Sequence, residues 1–242
     1  MNFELLNDMN IAIILAAGTG NRMETVCPKQ YIIVAGRTIL EHSIDIFEKN
    51  IQIDEIAVVL RKDDVSDFER FIQKNNWKKV KKVLPGGKER YESAFVAINA
   101  YSQFPDYNLI FHDAARPLVS ARIIDDVVKA LEEYNAVTVA IPATDTIYQV
   151  DDSQCFVKNI PNRNLLQCAQ TPQAFKAKII QKGYEIAMKD TDFQPTDDCG
   201  IVAKYLPEEK IFIVRGEASN MKLTYEEDLY LLKTLFSRPK KT

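Results

Sequence analysis

IAIILAAGTGNRMETVCPKQY, running from Ile11 to Tyr31, decides the fold. Its first residues, Ile11–Leu15, form a short apolar run rich in β-branched side chains, which predicts a fully buried strand. The run gives way to Ala16, Ala17 and Gly18, where small side chains let a ligand lie against the main chain. Gly18 and Gly20 add N–H groups, and Arg22 and Lys29 bring two cations into the same loop. A buried strand that ends in such a loop suits a polyphosphate. Neither common phosphate signature is present. Met23 stands where a dinucleotide fingerprint needs its third glycine, and no Gly-Lys-Ser/Thr run completes a P-loop. From these residues alone, a plain strand-to-helix turn with solvated cations fits as well as a nucleotide loop.

Outward from this loop, strand and helix patterns alternate. Thr38–Lys49 carries Ile39, Leu40, Ile44, Ile46 and Phe47 at mostly helical spacing, and Glu55–Leu60 is a second apolar strand. Asp63–Lys74 places Val65, Phe68, Phe71 and Ile72 on one helical face. A strand at Lys79–Leu84 stops at Pro85-Gly86-Gly87, and a helix follows at Arg90–Tyr101. Tyr107–His112, Ala121–Tyr134 and Ala136–Pro142 continue the alternation. The rhythm predicts an α/β fold, Rossmann-like, with a mainly parallel sheet and helices on both faces. Ligands on such sheets sit at the carboxyl ends of the strands, so the loops after Leu15, Leu84 and His112 are expected to face one crevice.

The alternation breaks between Thr144 and Gln170, where Thr146–Val150 and Cys155–Ile160 flank Asp151-Asp152-Ser153 as a hairpin. A projecting β-arm has open edges that call for a cover, either a second subunit or the chain's own body. Helices at Lys176–Lys189 and Thr196–Tyr205, a strand at Lys210–Val214 and a helix at Tyr225–Phe236 complete the pattern. Residues 1–242 are thus expected to form one domain, with the arm as an insertion at about 144–170.

Composition excludes several classes. The 242 residues are 46% apolar and 27% charged, as in ordinary globular proteins. A net charge of −3 argues against a general nucleic-acid binder. No apolar run is long enough to cross a membrane, and the acidic N-terminus MNFELLNDMN lacks signal-peptide character, so a cytoplasmic location is expected. Cys27, Cys155, Cys168 and Cys199 have no C-x-x-C spacing and only two histidines accompany them, which disfavours zinc or a disulfide framework. Cys27 has no base beside it in sequence and reads as a packing residue.

Leu15 to Gln30, L-A-A-G-x-G-x-R-M followed by P-K-Q, resembles the nucleotide loop of sugar- and polyol-phosphate nucleotidyltransferases. Together with later motifs, the stretch from about Ile11 to Phe236 is similar to the cytidylyltransferase family acting on methylerythritol 4-phosphate or ribitol 5-phosphate. The resemblance implies a CTP-dependent enzyme that uses Mg²⁺ and forms a homodimer through the arm. It implies nucleotide contacts at Ala16, Ala17, Gly18 and Gly20, and at Gly86, Gly87, Arg90 and Ser93, which match G-G-x-x-R-x-x-S. On local grounds, Pro-Gly-Gly is equally a turn. His112-Asp113-Ala114-Ala115-Arg116-Pro117 matches the string typical of the methylerythritol phosphate branch, whereas the ribitol branch more often carries Val at the fourth position. There Asp113 and Ala114 are expected at the nucleotide, with Asp113 the candidate Mg²⁺ ligand and Arg116 at the acceptor phosphate. A plain Asp113–Arg116 ion pair fits the local pattern as well. His112 is expected to be structural, because a phosphate nucleophile is already ionised and needs no base.

Further matches place Thr146 and Arg163, both on the arm, and Thr171 of Gln170-Thr171-Pro172-Gln173 at the acceptor. If the arm crosses to a partner, Thr146 and Arg163 serve the neighbour's site. Asn220-Met221-Lys222-Leu223-Thr224 matches a segment whose lysine reaches the reacting phosphates, with Ser219 where some relatives carry Asp. Arg22, Lys29 and Lys222 are therefore the expected catalytic cations. Thr196-Asp197-Asp198 matches a family motif too, but a helix N-cap is sufficient to explain it. Two other readings stay open: the ribitol phosphate branch, and a catalytically silent nucleotide-binding module.

Overall fold

Strand β1 (Asn10–Leu15) is buried along its whole length, and the sheet is built outward from it. The computed structural model describes residues 8–18, 28–103, 106–193 and 195–237. A tight hairpin, β2 (Ile33–Val34) and β3 (Arg37–Thr38), precedes helix α1 (Ile39–Lys49). Next come β4 (Glu55–Leu60), α2 (Val65–Asn75), β5 (Val80–Pro85), α3 (Arg90–Ala100), β6 (Asn108–Asp113), α4 (Ala121–Ala130) and β7 (Ala136–Pro142). The arm holds β8 (Gln149–Val150) and β9 (Val157–Asn159). The chain returns through β10 (Gln167–Lys176), α5 (Ala177–Ala187), α6 (Asp198–Tyr205), β11 (Ile211–Arg215) and α7 (Glu226–Ser237).

Seven strands form the main sheet, in the order β11-β7-β10-β6-β1-β4-β5. The pairs of β1 with β4 and β6, of β4 with β5 and of β11 with β7 are parallel. Only β10 runs against its neighbours, β6 and β7. The period of two in β1 divides the core. Ala12 and Ile14 face one layer with Leu40, Ile44 and Phe47 of α1 and Ile123 and Val127 of α4. Ile11, Ile13 and Leu15 face the other, with Ala94 and Ile98 of α3, Ile180 of α5 and Val202 of α6. A strand between two helical layers needs apolar side chains on both faces, which is why Ile11–Leu15 shows no polar alternation.

Two elements depart from the sequence expectation. β10 occupies ten residues where only a motif, Gln-Thr-Pro-Gln, is evident. Its buried middle is polar: the Gln170 amide donates to Glu217 O (2.9 Å) and the Gln173 amide to Asp197 Oδ2 (2.6 Å). Pro172 sits where the pairing with β7 shifts register between Gln170 and Gln173, the kind of irregularity at which a strand tolerates proline. The β2–β3 hairpin turns at Ala35 and Gly36, both with positive φ, as the type I′ turn geometry requires.

The arm does form a two-stranded antiparallel ribbon, shorter than the sequence suggests. Its apolar side chains lie in the open: Tyr148 is 57% exposed, Phe156 71%, Ile160 57% and Leu165 81%. Among the described residues, no helix is long and apolar enough to cross a membrane.

Candidate functional site

The carboxyl ends of β1, β5 and β6 open into a cavity of about 340 Å³. Ala16, Ala17 and Gly18 line it just beyond β1, Gly87 from the β5–α3 turn, Arg90 and Ser93 from the first turn of α3, and Asp113 and Ala114 from the end of β6. Lys29 and Lys222 line the same cavity from opposite ends of the chain. Gly20 and Arg22 lie outside the described residues, as does Cys27.

Each wall is fixed by short-range chemistry. The buried Gln30 amide donates to Ala16 O (2.9 Å), drawing the Lys29 turn against the end of β1. Lys29 Nζ in turn donates to Leu223 O (3.2 Å). Leu223 is anchored by its N–H on Ala115 O (2.8 Å) and packs with Val34, Ile39 and Leu232. The β2–β3 hairpin and α7 thus hold the Lys222 segment over the end of β6. At Gly86, a Cβ atom would stand 2.4 Å from Ala17 Cβ and 2.7 Å from Ser93 Oγ, so only glycine lets the two loops close on one another. The Glu92 carboxylate accepts from the N–H groups of Lys88 and Glu89 and so puts a negative charge at the turn before α3, which suits a polar base edge better than a phosphate.

Asp113 is the electrostatic centre. Its Oδ2 accepts from Lys222 Nζ (2.7 Å) and its Oδ1 from Arg90 Nε (3.3 Å). Burial alone would raise its pKa, but the Arg90 and Lys222 charges outweigh that and hold it well below the usual carboxylate range. The Asp113–Arg116 ion pair that the sequence allowed does not form. Arg116 donates instead to Asn220 O (2.8 Å) and Ala169 O (3.3 Å), bracing the Lys222 segment against β10.

Beneath Asp113 a chain of polar contacts fixes its backbone. The Asp113 N–H donates to Thr171 Oγ1 (3.1 Å), and Thr171 Oγ1 lies 3.0 Å from His112 Nδ1. His112 Nε2 is 3.1 Å from Arg116 O, which can only accept. Nε2 therefore carries the proton, Nδ1 accepts from Thr171, and every donor in the chain is used. Thr171, expected at the acceptor, is buried with its hydroxyl committed to this brace and does not line the cavity. Thr146 and Arg163 are exposed on the arm, away from the cavity, and Arg163 donates to Thr144 O (2.8 Å).

Burial pushes the pKa of His112 down to about 4 from 6.5. The unfolded chain therefore binds this proton between those values while the fold excludes it, so stability is lost as pH falls from 6.5 toward 4. Each unit within that window costs up to about 1.4 kcal/mol. Carboxylates with lowered values begin to act only below their ordinary range, so the window above about pH 5 isolates the histidine. In urea titrations, His112→Gln is expected to lose less stability than the parent between about pH 6.5 and 5. Parallel slopes in the two proteins would show that His112 has no such role.

Sequence reasoning missed two contributors. Gln30 was visible only as the third letter of Pro-Lys-Gln. Asp198 was absorbed into a helix cap, yet the cap is Asp197, whose Oδ1 accepts from Gly200 N (2.7 Å). Asp198 turns inward, fully buried, and its Oδ2 sits 2.8 Å from Arg90 Nη1.

The family model for 2-C-methyl-D-erythritol 4-phosphate cytidylyltransferase matches residues 10–238. A bifunctional ribulose 5-phosphate reductase/CDP-ribitol pyrophosphorylase of Haemophilus influenzae is 43% identical over 94% of this chain, which spans about half, 48%, of that relative's length. A 2-C-methyl-D-erythritol 4-phosphate cytidylyltransferase of Thermobifida fusca is 40% identical, covering 93% of this chain and 92% of its own. The solved 4-diphosphocytidyl-2C-methyl-D-erythritol synthase of Anaerococcus prevotii superposes with a TM-score of 0.84 at 32% identity, over 96% of this chain and 100% of that one. Joined to a cavity whose walls come from the loop after β1, the Gly-Gly turn and the Asn-Met-Lys segment, these similarities place the chain in the 2-C-methyl-D-erythritol 4-phosphate cytidylyltransferase family, whose members are CTP-dependent nucleotidyltransferases.

Proposed function

We propose that this chain transfers CMP from CTP to 2-C-methyl-D-erythritol 4-phosphate. An oxygen of the acceptor phosphate forms a bond to the α-phosphorus of CTP in line with the bond that breaks. The bridging oxygen leaves with its electron pair as part of pyrophosphate. The nucleophile is already ionised, so no base is needed, in keeping with a buried, neutral His112. Catalysis then rests on positioning and on fixed positive charge. The observation that carries this reading is the convergence of Lys29 and Lys222 on one cavity beside Ala16–Gly18 and Gly87. Among the described residues, that is also the cavity bounded by the ionised Asp113.

No group of three or more His, Cys, Asp or Glu side chains that could cage a metal exists among the described residues. One ionised carboxylate, Asp113, does fit Mg²⁺, which is commonly bound by one or two carboxylates together with substrate phosphates. Mg²⁺ held there would supply positive charge to the phosphate oxygens of the bound substrates. Asp113 would be its protein ligand, while Lys29 and Lys222 orient the rest of the triphosphate.

The acceptor is assigned from His112-Asp113-Ala114-Ala115-Arg116-Pro117 and from the Thermobifida relative. Ribitol 5-phosphate is the second reading, favoured by the 43% identity to the Haemophilus protein. Purified protein incubated with CTP, Mg²⁺ and each acceptor, with pyrophosphate release followed, separates them. Faster turnover with methylerythritol phosphate supports the first reading, and the reverse order assigns ribitol phosphate. CTP binding by calorimetry with no turnover on either acceptor would mark a silent nucleotide-binding module. The same reading includes a homodimer, in which a second copy covers the exposed apolar face of the arm and receives Thr146 and Arg163 into its site.

A further inference from the structure

We infer that Asp198 is the positioning residue for Arg90, holding its guanidinium against Asp113 and cancelling its charge toward the nucleotide; the inference rests on the cytidylyl transfer proposed above. Arg90 stands between two carboxylates. On the cavity side its Nε reaches Asp113 Oδ1 (3.3 Å), and on the buried side its Nη1 reaches Asp198 Oδ2 (2.8 Å). Asp198 is itself fixed from three directions. The Tyr184 hydroxyl of α5 donates to its Oδ1 (2.7 Å). Gln173 Oε1 of β10 accepts from its N–H (3.1 Å), and Asp197 beside it caps α6. A carboxylate so held is a rigid counter-charge for Arg90, met at ion-pair distance through Nη1 alone, since Arg90 Nη2 is buried with no hydrogen-bond partner.

The consequence follows from counting charges. Arg90 and Lys222 carry two positive charges, and Asp113 and Asp198 carry two negative ones, so the quartet is neutral before any ligand arrives. If Lys222 turns from Asp113 to the phosphates during transfer, Arg90 is the side-chain cation that stays and holds Asp113 in place. Arg90 does this without adding a net charge to the cavity, because Asp198 already opposes it. Arg90 thus works on the geometry of Asp113 and adds little of its own to the attraction for triphosphate.

Asp198→Asn tests this because it keeps the shape and removes the opposing charge. The nearby uncancelled Arg90 charge draws anions, so CTP and pyrophosphate are expected to bind about threefold tighter or more by calorimetry. Turnover is expected to fall about tenfold, since Arg90 is no longer held where it fixes Asp113. Asp198→Glu keeps the charge and displaces the guanidinium, so CTP affinity should return to the parent value while turnover stays low. A merely structural role would lower folding stability and leave per-molecule CTP affinity unchanged or weaker, and that result overturns the inference. Should Asp198→Asn fail to fold, Tyr184→Phe loosens the carboxylate without removing it. Turnover is then expected to fall about threefold at unchanged CTP affinity, and unchanged turnover overturns the inference. The parent enzyme is the control: absence of pyrophosphate release from the parent itself sinks the proposed reaction, not the role of Asp198.

Discussion

Lys222→Ala is expected to lower turnover about 100-fold or more while CTP affinity changes only a few-fold. Lys222 Nζ sits 2.7 Å from Asp113 Oδ2, so in the resting enzyme its charge is already compensated. Little of that charge is therefore available for holding CTP in the ground state. Transfer concentrates negative charge on the reacting phosphorus and the departing pyrophosphate, and there the ammonium gains a partner it did not have. A unit cation about 4 Å from a phosphate oxygen is worth about 4 kcal/mol at an effective dielectric near 20. Realising two thirds of it only in the transition state already gives about two orders of magnitude. Lys222→Arg keeps the charge in a bulkier, planar form and should recover part of the loss. Lys29→Ala is expected to behave in the same direction, since Lys29 lines the same cavity and holds the Lys222 segment through Leu223 O. Single-turnover pyrophosphate release, set beside calorimetric CTP binding, separates the two parameters. Near-parent turnover in Lys222→Ala would remove this lysine from the mechanism.

Local pattern carries the elements that rely on local pattern. Thr38 followed by Glu41 closes a capping box, and Ile39, Leu40, Ile44 and Phe47 then run along the buried face of α1 as their spacing requires. Glu55–Leu60 and Ala136–Pro142 are strands with the bounds their apolar runs suggest. β10 was not legible because a strand can be buried through satisfied amides as well as through apolar side chains, and Gln170 and Gln173 find partners in Glu217 and Asp197 far along the chain. The same distinction governs the site. Residues that converge because they end parallel strands, such as Gly18, Gly87 and Asp113, follow from topology. Pairings do not. Nothing in the local sequence tells that Asp113 pairs with Lys222 and Arg90 while Arg116, three residues on, turns to Asn220 O. At the start of α6, successive side chains point about 100° apart. Asp197 can therefore cap the helix while Asp198 enters the core, a difference invisible in a pair of identical letters.

The other large effect concerns the arm. Mixing Lys222→Ala with Arg163→Ala, each nearly inactive alone at acceptor concentrations well below the raised KM of Arg163→Ala, is expected to restore activity to about one site in four after subunit exchange. The arithmetic requires that Arg163 act across a two-fold axis. In a mixed dimer, one site then combines both lesions and the other combines an intact Lys222 with an intact Arg163. If Arg163 acted in its own chain's site, each site would carry one lesion and no activity would return. Three observations favour the crossed arrangement. Arg163 is exposed and does not line the cavity of its own chain, although the acceptor phosphate needs a cation of its own. Tyr148, Phe156, Ile160 and Leu165 expose apolar side chains along the same arm, the kind of surface that marks a contact site. The ribbon pairs only β8 with β9, leaving both outer edges open among the described residues. Sedimentation of the parent protein supplies the prerequisite, a dimer at assay concentration. If Arg163 meets only the polyol phosphate, as proposed, Arg163→Ala should raise the KM for the acceptor and spare that for CTP. A monomer with full activity, or a mixture no more active than its components, would return the arm to its own chain.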